Sequence, residues 1–316
     1  MSPVLPVAGA LPPGARVALI FNPAARQGRD REIIAFVARA LGERFAVDVI
    51  APASAAAVEA EARASALSHE AVVVAGGDGT VNRVVNGLAG STIPLGVIPM
   101  GTGNDFARAC GVLASPAEAV RRILNGRAGP VDLVRVNERV YCTVGLIGVA
   151  SESALTVARL TAPGSRARGL MRLCGEWSYR VVGFGHLLNP GRITERVTIT
   201  GGSGEVLCPP GESHAVFIAN TPILGGGLVL PVDADPSDGL IEIAIAPRMP
   251  RLRLLWAFVC FAHGWRVPEG TLQVFRVARA AIACERTVPF SADGDLICSA
   301  DRFEISVLRR ALRLIA

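Results

Sequence analysis

The sequence of 316 residues contains no lysine; all 32 of its basic side chains are arginine. A Walker-type lysine, a Schiff base and a lysine general base are therefore excluded from its chemistry. Histidine is almost as scarce, with four isolated copies and no H-E-x-x-H pattern. The seven cysteines are odd in number and include no C-x-x-C pair, which argues against a disulfide framework or a zinc ribbon. Aromatic residues amount to 5% and few stand among the arginines, so no nucleic-acid partner is expected. Long apolar runs are missing too, although the mean hydropathy is +0.42. The best stretch, Leu254 to Ala262, falls far short of the roughly 18 residues a spanning helix needs. The first twenty residues lack a cationic start and carry Pro3, Pro6, Pro12 and Pro13, which does not fit a secretory leader. A cytoplasmic protein is expected.

What is present is a globular composition, 51% apolar and 19% charged, in a chain long enough for one or two domains. The net charge of +5 is unevenly placed: seven arginines from Arg159 to Arg196 face only Glu176 and Glu195. A smaller cluster, Arg309, Arg310 and Arg313, alternates with leucines near the end. Each cluster reads either as a solvated face or as a contact with an anionic lipid surface.

Residues 1–15 are small and proline-rich, and a flexible N-terminus is expected there. Short apolar runs then alternate with helical patterns. Arg16–Phe21, Phe45–Ile50, Ala71–Ala75 and Ile93–Ile98 read as strands buried on both faces. Ile33, Phe36, Val37, Ala40 and Leu41 fall at helical spacing, and an alanine-rich helix is expected from Ser54 to Leu67. Ser115, Pro116, Glu118 and Gly126 punctuate another helix. This order predicts parallel βαβ units over 16–132. After Pro130 short alternating segments take over, predicting a β-sandwich or open barrel over 133–316 with helices near Ser151–Arg159, Gly169–Leu188 and Leu252–Phe261. The two halves differ in class, so two domains with a cleft between them are expected.

Three segments at predicted strand ends carry the chemistry. Gly76-Gly77-Asp78-Gly79-Thr80-Val81-Asn82 runs from a buried strand through three glycines into a helix. Glycine permits close backbone approach, and the N–H groups and dipole of the helix start favour an anion such as phosphate. Asp78 fits such a cradle if it reaches Mg²⁺; otherwise it is the cap of a tight turn. Gly101-Thr102-Gly103-Asn104-Asp105-Phe106-Ala107-Arg108 repeats the pattern, and Asn22-Pro23 to Gly28 forms a third loop containing Arg26. In an open parallel sheet such loops line one crevice.

The set N-P-x-x-x-x-G, G-G-D-G-T-x-N and G-T-x-N-D-F-A-R, in this order, resembles the diacylglycerol kinase catalytic-domain superfamily, which includes bacterial soluble lipid kinases, sphingosine kinases and ceramide kinases. G-G-D-G-T alone is shared with NAD kinases and phosphofructokinases; N-D-F-A-R makes the pattern specific. Asn220, Gly225-Gly226-Gly227, Asp238-Gly239-Leu240 and Asp293-Gly294-Asp295 extend the resemblance over residues 16–314.

The resemblance implies an NAD kinase/phosphofructokinase-like α/β domain followed by a β-sandwich lipid-substrate domain, with the C-terminal tail able to pack back on the first. It implies ATP and Mg²⁺ as cofactors, with Asn22, Gly76–Asn82, Thr102, Asn104 and Asp105 at the nucleotide. Asp78, Asp105 and Asp132 would organise the catalytic metal. The family's D-G-E is Asp293-Gly294-Asp295 here, so Asp295, or failing it Asp293, would be the general base. A structural metal would take the Asp238 carboxylate and the carbonyls of Asp235 and Leu240; an ordinary turn is the competing reading. The implied partners are a lipid alcohol and, peripherally, a membrane; oligomeric state stays open, a homodimer included. An NAD kinase-like soluble kinase and a catalytically weakened lipid- or nucleotide-binding protein are the rivals, the second favoured by aspartate in the glutamate position.

Overall fold

A computed structural model describes residues 9–23, 30–162, 164–175, 177–188 and 194–316, without the side chains of Asp30, Ala55, Arg168 and Arg172. Arg26 and Gly28 of the first predicted loop, and Arg192, lie outside these residues. The chain divides into two compact units, 1–133 with 308–316, and 134–307.

The first unit alternates strands β1 (Arg16–Phe21), β2 (Ala46–Ile50), β3 (Ala71–Gly76) and β4 (Pro94–Pro99) with helices α1 (Asp30–Gly42), α2 (Ala55–Ser68), α3 (Asp78–Leu88), α4 (Asp105–Ala109) and α5 (Pro116–Asn125). Strand β1 pairs in parallel with β2 and β3, and β3 with β4. Every residue of β3 is buried, as its unbroken A-V-V-V-A-G run requires for a strand covered on both faces. Helix α1 turns Ile34, Val37 and Leu41 onto this sheet. Helix α2 is too alanine-rich for a strong apolar stripe and gains contact by proximity: a Cβ on Gly87 of α3 would stand 2.7 Å from that of Ala62. In α5 the Ser115 hydroxyl accepts from the Glu118 amide at 3.3 Å, with Pro116 in the first turn.

One expectation needs correction here. Residues 11–15 are not loose: the Gly14 amide donates to the Arg44 carbonyl at 2.7 Å, Arg44 bonds the Leu11 carbonyl, and Ala15 is buried. The segment 308–316 belongs to the first unit, where Arg313 and Leu314 pair in parallel with Pro94 and Leu95 of β4.

The chain enters the second unit within β5 (Ala128–Val136). It continues through β6 (Arg139–Tyr141), β7 (Val144–Gly148), α6 (Val149–Thr161), α7 (Arg168–Cys174), α8 (Trp177–Leu187), β8 (Glu195–Gly201) and β9 (Val206–Ala219). Then follow β10 (Ile223–Leu224), β11 (Leu228–Val229), β12 (Ile241–Pro247), α9 (Arg251–Ala262), β13 (Gln273–Val277), β14 (Arg279–Ala292) and β15 (Asp295–Ile315). Pairing here is antiparallel: β12 with β13 and β9, β9 with β7 and β8, and β14 with β7, β8 and β15. The inward side chains, among them Tyr141, Ile147, Ile218, Ile243, Phe290 and Phe303, form one core. The helix predicted over Gly169–Leu188 is two helices, because Gly175 takes a φ of +52°. The strand predicted over Phe275–Ile282 is likewise two, ending at Val277 and restarting at Arg279.

Candidate active site

Strand β3 ends at Gly76, and the next residue, Gly77, caps α3 in an extended conformation with no side-chain hydrogen bond. Asp78 is thus the first helical residue and not the cap. The amides of Thr80 and Val81 already donate to the Gly77 carbonyl at 2.9 and 3.0 Å, and the side chain of Val81 is buried. Any donors that this segment directs at an anion therefore precede Thr80. Asn82 is buried as well and accepts from the side chain of Asn86 at 3.2 Å.

The glycines serve the protein before any ligand. A Cβ on Gly76 would meet Thr80 at 2.7 Å, and one on Gly101 would meet the Gly77 Cα at 2.5 Å. The loops after β3 and β4 thus pack backbone against backbone. Asn104, in the left-handed region at φ +49°, closes the second loop: its Oδ1 accepts from the Gly101 amide at 2.7 Å and its Nδ2 donates to the Gly101 carbonyl at 3.0 Å. The Phe106 amide in α4 donates to Asp78 Oδ1 at 3.4 Å, joining the loops a second time. Thr102 is exposed, Asp105 is buried at the start of α4, and Asn22 stands half-buried just beyond β1. The two glycine loops expected to share one pocket are therefore brought together.

The predicted acidic network is a different matter. Among the described residues no group of three or more His, Cys, Asp or Glu side chains could hold a metal ion. Asp132, on β5 and buried, accepts from the Arg310 amide at 2.6 Å, where the chain takes φ +52°. It fastens the returning 308–316 segment. Mg²⁺ commonly takes only one or two carboxylates, with phosphate oxygens and water completing the shell. Asp78, in the first turn of the glycine-capped α3, would fit such an ion bound together with a nucleotide.

In the second unit Asp293 and Gly294, with φ of +51° and +83°, form the turn between β14 and β15, where Ala292 pairs with Asp295. Two consecutive positive φ values suit an Asp-Gly hairpin. The Asp293 carboxylate folds inward and collects four donors: the amides of Cys142 and Thr143, each at 2.9 Å, the Cys142 thiol at 3.2 Å and the Thr143 hydroxyl. A buried carboxylate so surrounded is held as a hydrogen-bond acceptor within its own fold. Sequence reasoning missed Cys142 and Thr143, which lie about 150 residues away and carry no motif. Asp295 follows the turn and is half-exposed.

At the turn expected to hold a structural metal, Asp238 Oδ2 pairs with the Arg276 guanidinium and Oδ1 accepts from the Leu240 amide at 2.8 Å. Asp235 Oδ1 accepts from the Ser237 amide and hydroxyl, and its carbonyl from the Asp238 amide. Neighbouring Glu242 is buried, and its carboxyl is pushed above the ordinary range, first by burial and then by Asp238, with Arg276 opposing.

The same unit holds a nearly apolar cavity of about 90 Å³. Phe217, Leu230, Leu187, Leu254, Phe258 and Phe261 are among its walls, with His214 and Thr271 as polar members. The Met249 amide donates to His214 Nε2 at 3.2 Å, and burial lowers the pKa of this histidine. The buried Thr271 hydroxyl has no hydrogen-bond partner among the described residues.

The diacylglycerol kinase catalytic domain model matches residues 16–136, and the YegS C-terminal NAD kinase beta sandwich-like domain model matches 161–316. A curated diacylglycerol kinase of Mycobacterium tuberculosis is 31% identical over 261 residues, 80% of this chain and 79% of the relative. The chain belongs to the diacylglycerol kinase family of lipid kinases. A probable YegS-like lipid kinase of Klebsiella pneumoniae is 29% identical over 252 residues, 78% of each chain. The fold is that of a crystal structure of a diacylglycerol kinase from Bacillus anthracis, with a TM-score of 0.71 at 22% identity, covering 95% of this chain and 96% of that one. Among the described residues no helix of this family member is long and apolar enough to cross a membrane.

Proposed function

We propose that this lipid kinase transfers the γ-phosphate of Mg²⁺-ATP to the hydroxyl of a lipid alcohol, diacylglycerol or a chemical relative. The observation that carries the reading is the start of α3: a glycine cap with no side chain over it, Asp78 in the first turn, and the second glycine loop packed against Gly77. Backbone donors at that helix start, assisted by Asn22, Thr102 and the Asn104-closed loop, hold the triphosphate. Asp78 and Asp105 steer the divalent ion, whose charge offsets that of the phosphates when it is bound. Phosphoryl transfer asks the protein mainly for such positioning and charge.

Asp295 takes the proton of the acceptor hydroxyl. Aspartate is one methylene shorter than the glutamate usual in the family, about 1.5 Å by bond length, so it works at closer range or through a water. Asp293 is not a candidate, because its carboxylate is committed to Cys142 and Thr143. The apolar cavity suits an acyl chain, with the Thr271 hydroxyl as its polar contact. The protein works in the cytoplasm and meets its substrate at a membrane surface through the arginine-rich 159–196 stretch.

A total lipid extract incubated with labelled ATP and read by mass spectrometry tests this, with Asp295→Asn as control. One phosphorylated lipid class, lost in the control, supports the reading. Phosphorylation of NAD would move the chain to the NAD kinase reading, and ATP binding without any product to a catalytically weakened protein.

A further inference from the structure

Helix α8 is built inside out. A surface helix ordinarily buries its large apolar residues and shows polar ones. Here the buried positions are Ser178, Gly183 and Leu187, while Trp177, Val181, Phe184 and Leu188 are exposed at i, i+4, i+7 and i+11. Neighbouring helices also expose large apolar side chains. Leu170 and Leu173 stand out from α7, the latter 87% exposed, and Leu252 and Trp256 from α9. All three tryptophans of the chain are at the surface: Trp177 is 60% exposed, Trp256 55% and Trp265 55%.

Side chains of α8, α9 and the 263–266 loop form one patch. The Arg180 guanidinium lies 5.1 Å from the Trp177 ring centre, and its Nε donates to the Ala262 carbonyl at the end of α9. The adjacent His263 ring is 5.0 Å from Trp265, which is 6.3 Å from Trp256. Phe184 of α8 meets Phe258 of α9 at 6.5 Å. The charge around the patch has one sign. Arg180, Arg251, Arg253 and Arg266 belong to its helices and loop, while Glu176 is the only acidic residue from 153 to 194 and none lies between Glu242 and Glu269.

We propose that the face formed by α7, α8, α9 and the 263–266 loop inserts its tryptophans and leucines into the interfacial layer of an anionic bilayer. Tryptophan and arginine together, beside leucine on flat-lying helices, match the headgroup boundary. A two-fold contact between copies would instead set this arginine-bearing patch against itself. The inference rests on the lipid-kinase reading only for the use of such docking. The inner sides of α8 and α9 supply Leu187, Leu254 and Phe258 to the apolar cavity, so the docked helices are also a wall of it. Half of the face, residues 251–266, lies outside the arginine-rich stretch that the sequence singles out.

Because every tryptophan is in the patch, intrinsic fluorescence reports on it without a label. Vesicles of phosphatidylglycerol and phosphatidylcholine should shift emission to the blue, and a doxyl quencher near the headgroups should dim it; pure phosphatidylcholine should do so weakly. The triple variant Trp177→Ala, Trp256→Ala, Trp265→Ala should lose vesicle co-sedimentation by about tenfold or more, with an unchanged circular dichroism spectrum. Leu173→Asp with Leu252→Asp should weaken binding with the tryptophans intact and unshifted. An unmoved spectrum with anionic vesicles overturns the proposal, as does a blue shift that follows protein concentration and dimer sedimentation. These readouts need no ATP. Docking without phosphorylation of any lipid upholds the face and removes the kinase reading; phosphorylation of a water-dispersed short-chain diacylglycerol without docking does the reverse.

Discussion

Two Asp-Gly turns, one in each unit, look alike in sequence and differ in physical situation. Asp293 is ringed by four donors from Cys142 and Thr143 and is buried. Asp78 stands in the first turn of α3 behind a glycine cap, and the Phe106 amide donates to its Oδ1 at 3.4 Å. A carboxylate whose acceptor capacity is filled by its own fold holds that fold together. The nucleotide role proposed for Asp78 rests instead on its place in the first turn of α3, behind a glycine cap. The contrast applies beyond this chain: Asp-Gly is a turn signal first, and the partners of the carboxylate decide what else it does.

The sharpest way to break the comparison is to exchange the charge of each turn for an amide. Asp78→Asn keeps an oxygen for the Phe106 amide and removes the charge. It should cut lipid phosphorylation by about 10³-fold, close to 4 kcal/mol, while the melting temperature moves by no more than about 2 °C. Steady-state kinetics beside calorimetry reads both. Asp293→Asn should behave oppositely. Its NH₂ group would face donors, costing about 2–3 kcal/mol of stability in the second unit, measurable by urea unfolding, with activity declining only as the folded fraction does.

Glu242 sharpens the contrast, being buried without the ring of donors that Asp293 has. Burial raises its folded pKa, so its contribution is fullest when protonated and is lost as pH rises from the ordinary carboxylate range through the raised folded value. Glu242→Gln should therefore gain about 1 kcal/mol over the wild type at neutral pH and nothing near about pH 4, as melting curves at the two values would record. The smallest effect belongs to the capped counterpart of α3. Ser115→Ala should lower the stability of the first unit by about 1 kcal/mol or less in denaturant titrations and leave turnover unchanged.

Local patterns made much of the first unit legible. Continuous apolar runs give β1, β3 and β4, and Ser115-Pro116 starts α5, because each depends on neighbours within a few residues. The two glycine loops could be paired because both follow buried strands. What escaped reading depends on distant partners. Arg276 reaches Asp238 across 38 residues, and Thr143 reaches Asp293 across 150, with no periodicity to announce either. The tryptophan face stayed hidden for the same reason, since α8 and α9 are far apart in the chain and each, taken alone, reads as an apolar core helix. The split at Gly175 was in principle visible, because a glycine inside a helical pattern is a stopping point.

The strand that runs alongside β4 at residues 313–314 carries a consequence for biosynthesis. During translation β4 emerges early, yet its neighbour is made only after every residue of the second unit. Until then the nascent α/β half presents a bare hydrogen-bonding edge at Leu95, the kind of surface on which chains stick to one another. Shielding by a holdase, or swift maturation of the intervening β-rich portion, would govern how much full-length product escapes aggregation.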